Sequence, residues 1–254
     1  MDEKSKATDN HGEGRDTVFQ VSLLQSLAYG DYEGSVTIGE LKSHGDVGIG
    51  TFNRLNGEMI MLDGEVYRAR GDGGVEIVRD EETSPFSVVT FMDRDEVMSL
   101  KDISDYEALC RKLNQIVEEK GINRFYTVRI DGLFREANVR SVYAQDEPYR
   151  RLVDVMADDQ TFFDYENVEG TLVGLYCPSY MSGLNAVGWH MHFISRDKTK
   201  GGHVLDISIT DAILTIDSAD AFEMRLPQNK RLDSFDLSAD QSKDIEMIES
   251  NKRH

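Results

Sequence analysis

Three of the chain's six histidines fall in one short stretch, Gly188-Trp189-His190-Met191-His192-Phe193 followed by Gly201-Gly202-His203. Side chains of an extended strand alternate between faces, so His190 and His192 project to the same side. Residues 196–202 read as a strand end and turn, and 204–209 as the returning strand. A hairpin centred between Asp197 and Lys198 sets His203 opposite His192 and on its face; a shift of half a residue puts it on the other. Three imidazoles meeting at one point make an open metal site, with three protein ligands and a position left for water or substrate, as in catalytic zinc. The competing reading is that these are ordinary polar strand side chains, since an isolated H-x-H is weak evidence for metal. Cys177 lies upstream, before Pro178, so no cysteine is at hand to close the site.

The elements that must hold this hairpin are mostly short strands. Residues 18–29 carry Val21, Leu24, Leu27 and Ala28 at the spacing of an amphipathic helix, and 38–44 read as a helical turn ended by Gly45. Asp63-Gly64 between apolar runs is a hairpin signal, and 85–92 read as a strand. Ser104-Asp105-Tyr106-Glu107 has the form of a capping box. It opens a helix with Tyr106, Leu109, Leu113, Ile116 and Val117 on one face, stopped by Gly121. Strands over 124–130 and 134–142 are expected to join at Asp131-Gly132. A second part begins near Pro148, with a short helix over 152–156 and a final one over 238–249. Strands are expected between them over 162–165, 170–177, 189–195, 203–209, 212–216 and 222–226. The expected class is α+β: a mixed, mostly antiparallel sheet domain over 17–147, then a β-barrel-like domain over 148–254 that carries the metal site. Residues 1–16 read as a disordered polar tail.

At 254 residues the chain can bury a substantial core, and its net charge of −19 argues against nucleic acid or an anionic membrane as partner. No apolar run approaches the ~20 residues that span a bilayer. The first sixteen residues hold no apolar segment of a signal peptide, and Cys110 and Cys177 do not form a disulfide framework, so a cytoplasmic setting is expected. Gly48-x-Gly50 lacks the rest of a phosphate-binding pattern, which gives no reason to expect a nucleotide.

A run of segments in common order resembles the α-acetolactate decarboxylase family. They are His44-Gly45-Asp46, Gly48-Ile49-Gly50-Thr51-Phe52-Asn53, Gly57-Glu58-Met59-Ile60, Leu62-Asp63-Gly64, Pro85-Phe86 and Arg129-Ile130-Asp131-Gly132. Asn167-Val168-Glu169-Gly170-Thr171, the H-x-H, and Gly201-Gly202-His203-Val204-Leu205-Asp206 complete the set. The resemblance implies Zn2+ held by His190, His192 and His203, in agreement with the hairpin geometry. It further implies that Glu58, Arg140 and a glutamate near the C-terminus are catalytic, that Thr51 and Arg140 contact substrate, and that the protein is a homodimer. Glu246 and Glu249 both fit the last position, and spacing from His203 favours Glu249. Trp189 stands where a Tyr is expected, and an extra residue falls around Phe162-Phe163-Asp164.

The implied reaction is decarboxylation of 2-acetolactate to acetoin. Loss of carbon dioxide leaves electrons that the neighbouring ketone must accept as an enediolate, and zinc is suited to stabilise that charge as a Lewis acid. Arg140 suits a substrate carboxylate, through a two-pronged contact that resists deprotonation. A glutamate, or a water at the zinc, would return the proton to carbon. Each of these residues has a plainer reading. Glu58 and Glu249 belong to 47 acidic side chains, Arg140 could pair with Glu136 or Asp131, and Thr51 could serve only its own backbone. Two other functions stay open: another metal enzyme, such as a hydrolase or an iron dioxygenase with Asp206 as carboxylate ligand, and a non-catalytic domain stabilised by zinc.

Overall fold

The computed structural model describes residues 15–238 and Ile245. In chain order the elements begin β1 (Thr17–Val21), α1 (Leu24–Ala28), β2 (Val36–Thr37), α2 (Ile38–Lys42), β3 (Val47–Thr51), β4 (Glu58–Leu62) and β5 (Glu65–Ala69). Next come β6 (Val75–Ile77), β7 (Thr83–Ser84), β8 (Ser87–Thr90), β9 (Glu96–Ile103), α3 (Tyr106–Lys120) and β10 (Phe125–Val142). The remainder is α4 (Leu152–Asp158), β11 (Gln160–Cys177), β12 (Gly188–Ser195), β13 (Gly201–Ala219) and β14 (Ala221–Arg225). The protein is mostly β-sheet with few helices. One seven-stranded sheet runs β14-β1-β8-β3-β4-β5-β6, and a second, five-stranded sheet runs β10-β11-β12-β13-β9. Pairings are antiparallel except for β1 with β14.

Pairing in the second sheet returns on itself, because β10 bonds to β11 on one side and to β13 on the other, while β12 joins those two. The boundary expected at 147/148 therefore does not separate the site-bearing strands from the rest: β10 precedes it and β11 to β13 follow. One core cluster joins residues of both sheets, with Val18, Ile49, Ile60 and Val88 from the first and Val173, Leu175 and Ile194 from the second. A second cluster packs α3, through Leu109, Leu113, Ile116 and Val117, with Tyr126, Val128 and Met191 of the second sheet. This is the apolar face read from sequence. Its N-cap is Asp105, whose carboxylate accepts from Ala108 N at 2.7 Å.

Three expectations change. Residues 18–29 are not one helix: 17–21 form β1, Ser22 breaks the chain at φ 62°, and only Leu24–Ala28 are helical. β1 lies between β14 and β8 with both faces buried, so its apolar residues follow no period of two that could mark it as a strand. Asp131-Gly132 does not turn the chain, and β10 runs through it unbroken. Gly132 is flanked by Gly170 and Ala212, and a Cβ on it would sit 2.3 Å from Asp211 O, so the glycine serves a close strand approach. The strand pairs expected over 162–177 and 203–216 are likewise single strands, β11 and β13. The Asp63-Gly64 hairpin is as expected, with φ 53° and 76° between β4 and β5. Of the tail expected over 1–16, residues 1–14 lie outside the described residues, as does all of the final helix except Ser238 and Ile245. Arg15 pairs with Asp93 at 2.7 Å and Asp16 O accepts from Ala221 N at 3.1 Å, so these two are held in the fold.

One buried carboxyl gives the fold a pH dependence. Asp217 on β13 is 4% exposed; one carboxyl oxygen accepts from Asp93 N at 3.1 Å and the other, Oδ1, has no partner. Burial, reinforced by Asp95 and Asp93, pushes its pKa up to about 7. A folded-state pKa above the unfolded value means the native state holds this proton more tightly. Its contribution is therefore complete below about pH 4 and is lost as pH rises through about 7. Asp217→Asn should flatten this slope and stabilise the protein at pH 8 by about 1 kcal/mol after allowance for solvent screening, roughly 2–4 °C in melting temperature, with little change at pH 4. Thermal melts across pH 4–8 check this; an unchanged slope would exclude Asp217 as its source.

A three-histidine candidate metal centre

β12 sends His190 and His192 to one face and Met191 and Phe193 to the other, where both are fully buried in the second core cluster. The β12–β13 turn is held by Asp197, which accepts from Ser195 Oγ and Thr199 N, with Lys198 at φ 59°. The resulting register pairs His192 with His203, as the hairpin centre predicted. On its other side β13 pairs His203 with Arg140 of β10. Arg140, His203 and His192 thus form one cross-strand row over three strands. The row depends on an irregularity: Asn138 pairs with Asp206 but Val139 pairs with Val204, so Leu205 is an extra residue. Without that bulge Val204 would stand opposite Arg140 and the histidine would be displaced from the row.

The three rings converge. His190 Nε2 lies 3.2 Å from His192 Nε2 and 3.0 Å from His203 Nδ1. All three ligand atoms lie within 4.8 Å of one another, and no other His, Cys, Asp or Glu among the described residues joins the group. A tetrahedral ion with metal–nitrogen bonds of about 2.0–2.1 Å needs nitrogens about 3.3 Å apart, close to what is found. His192 Nδ1 donates to Met59 O at 2.8 Å, which assigns the proton to Nδ1 and leaves the Nε2 lone pair facing the cluster. Burial, then the charge of Arg140, lowers the His190 pKa to about 3. Burial and His190 hold His192 well below its ordinary value. Three imidazoles whose ring nitrogens meet at one point are a donor set that a metal ion fits.

The first sheet supplies the opposite wall. Glu58, 8% exposed at the start of β4, brings Oε2 to 3.6 Å from His192 Nε2. Thr51 stands opposite Glu58 in the β3–β4 ladder, and its hydroxyl donates to Gly57 O at 2.8 Å. The turn between them carries Arg54, Leu55 and Gly57 at positive φ. Arg54 pins it, with its Nε donating to Gln145 O at 2.9 Å and its guanidinium paired with Asp146. Arg140 is 3% exposed and pairs with neither acid considered for it: Asp131 binds Arg129. It contacts Met156 Sδ and lies 3.5 Å from Gln160 Oε1, with its Nε unpartnered. Asp206 accepts from Tyr106 N at the start of α3 and does not join the histidines. Glu246 and Glu249 lie outside the described residues. No sequence signal marks the Met59 carbonyl, Met156, Gln160 or the Leu205 bulge. A backbone carbonyl and a one-residue strand irregularity leave no mark in residue type.

Fold and site define a mostly-β enzyme whose second sheet presents three histidines able to hold a metal ion, beside a buried arginine and glutamate. A family model for alpha-acetolactate decarboxylase matches residues 18–239. Alpha-acetolactate decarboxylases of Methanosarcina mazei and Bacillus licheniformis are each 38% identical, over 92% of this chain and 80% of the first, and 93% and 92% for the second. The crystal structure of the Bacillus subtilis strain 168 enzyme superposes with a TM-score of 0.88 at 37% identity, over 92% of this chain and 99% of that one. A Staphylococcus aureus protein of unknown function, described as similar to the same enzyme, gives 0.86 at 30% identity, over 92% of this chain and all of its own. The chain belongs to the alpha-acetolactate decarboxylase family.

Two substitutions test the centre. His192→Ala should purify with less than about a tenth of the metal bound by the unsubstituted protein, read by elemental mass spectrometry. Gly202 precedes His203, and a Cβ on it would meet Arg140 O at 2.5 Å. Gly202→Ala should spread β13 from β10 and weaken metal binding by about 10–100-fold in a protein that still folds. Full metal retention by His192→Ala would exclude the three-histidine centre.

Proposed function

We propose that this chain is a zinc-dependent carboxy-lyase that converts 2-acetolactate to acetoin and carbon dioxide. The observation that carries this reading is the placement of Arg140, a buried guanidinium with no described carboxylate partner, in the same strand row as two of three convergent histidines. Decarboxylation next to a ketone needs a cation for the carboxylate and a sink for the electrons it leaves behind. His190, His192 and His203 would hold the zinc, which when bound supplies a Lewis acid for the negative charge developing on the substrate oxygens.

The remaining work falls to the chain's own residues. Arg140 binds the substrate carboxylate through two parallel N–H donors and stays charged throughout. Glu58 lies near enough to the His cluster to carry a proton to the carbon that loses the carboxylate. Glu249 shares that proton handling on the strength of the resemblance. Thr51 stands beside Glu58 in the ladder, and its contact with substrate rests on the resemblance. Asp206, the carboxylate considered for an iron triad, is bound at the start of α3 instead. Only three ligands converge among the described residues, which suits a catalytic site better than a closed structural one. The same reading includes a cytoplasmic homodimer. Cys110 and Cys177 are free, and among the described residues no helix is long and apolar enough to cross a membrane.

Purified protein incubated with racemic acetolactate should form acetoin, lose that activity to a chelator and regain it with zinc. Zinc-loaded protein that makes no acetoin would sink the reading. Glu58→Gln should keep its metal and lose about 10²–10⁴-fold in turnover, as expected for removal of a proton-transfer group. Loss of metal from that variant would instead make Glu58 a ligand.

A further inference from the structure

Two arginines are buried among the described residues, and the protein treats them in opposite ways. Arg68, 7% exposed, is clamped by Glu76 at 2.8 Å and by Glu82, and lies over the Phe52 ring at 4.3 Å. Arg140 has no described carboxylate partner. Its Nη1 meets a thioether, Met156 Sδ, and an amide oxygen, Gln160 Oε1, at 3.5 Å. Both acceptors orient the guanidinium, and neither carries charge.

The placement follows from the strand register. Arg140 pairs with Phe162 and Val142 with Gln160, so Gln160 sits diagonally across from Arg140 on the same face of the sheet. Met156 comes from α4, the helix that leads into β11 at Gln160. A carboxylate at position 160 would form a charge-assisted, partly buried ion pair with Arg140. That pair would satisfy the guanidinium from within the protein, and an incoming carboxylate would have to displace it.

We propose that Gln160 is a positioning residue that fixes the Arg140 guanidinium through a neutral oxygen and so leaves its charge available to the substrate carboxylate. This rests on the reading of Arg140 as the carboxylate-binding group. The neutrality of position 160, more than its hydrogen bond, determines affinity for the anionic substrate.

The test compares Gln160→Glu with Gln160→Ala, reading KM and kcat for acetolactate, inhibition by the uncharged product acetoin, and melting temperature. Gln160→Glu should raise KM at least tenfold, change kcat by less than threefold, leave acetoin inhibition within twofold and keep or raise the melting temperature. Gln160→Ala, which loosens the guanidinium without adding a competing charge, should raise KM about three- to fivefold, well short of the rise in Gln160→Glu. An unchanged KM in Gln160→Glu overturns the proposal. So does an equal rise in both variants, or a parallel loss of acetoin inhibition, since each points to lost packing. Gln160→Asp, one methylene shorter, carries the same comparison if Gln160→Glu does not fold. An unsubstituted protein that makes no acetoin removes the functional reading itself, and that result is read before any variant is compared.

Discussion

The site depends on strand register. Arg140, His203 and His192 belong to three strands and meet only because β10, β13 and β12 pair at one particular offset. Side chains alternate with a period of two, so a slip of one residue on any of these strands would send its member of the row into the apolar core. Two local devices set the offset: the Asp197-Lys198 turn on one side of β13 and the extra residue at Leu205 on the other. Long strands multiply the contacts that hold such an offset, even though β10 and β13 shift register at bulges along their length. This accounts for β10, β11 and β13 running as long unbroken strands through Gly132, Gly170 and Ala212. The apolar residues that lock those strands together include Ile130, Leu172 and Leu214, which pair across β10, β11 and β13 away from the histidines.

The second constraint is electrostatic. The protein carries a net charge of −19, so its overall field opposes an anionic substrate and gives no long-range steering. Under the proposed function, attraction would come from the buried groups of the site itself, where burial removes the competition of water. There burial and the field of Arg140 hold His190 and His192 neutral, and Arg140 is held without a described carboxylate partner. A buried unpaired guanidinium costs the fold several kcal/mol. A protein rich in acidic side chains nevertheless leaves this cation without a carboxylate partner among its described residues, which is the basis of the role proposed for Arg140. The Met59 carbonyl gives the complementary control on His192, fixing its tautomer from the first sheet. The two sheets are thereby joined at the site itself.

Much of this was legible in residue type and spacing. The H-x-H pattern, the Gly-Gly before His203 and the turn residues between them specify a hairpin with three histidines on one face, and the structure has that hairpin. The Asp63-Gly64 turn and α3 were equally plain, because each rests on a local preference that neighbouring residues reinforce. The failures share a cause as well. Residues 17–21 carry apolar side chains toward both faces, so β1 shows no alternation, and Asp131-Gly132 has turn chemistry in a place where two neighbouring strands press close. In both cases pairing with distant strands overrode a local signal.

The sequence by itself determined that three histidines would share a face and that a metal ion could bind them, because a strand's period and a tight turn are properties of adjacent residues. The tertiary structure decided which distant groups join them. Arg140 entered through the Leu205 bulge, Glu58 and the Met59 carbonyl through the packing of one sheet on another, and Gln160 through a diagonal pairing. Asp206, the nearest carboxylate in sequence, was instead taken up at the start of α3. These outcomes depend on strand offset and sheet packing, which are sums over many weak long-range contacts that no short segment of the chain encodes.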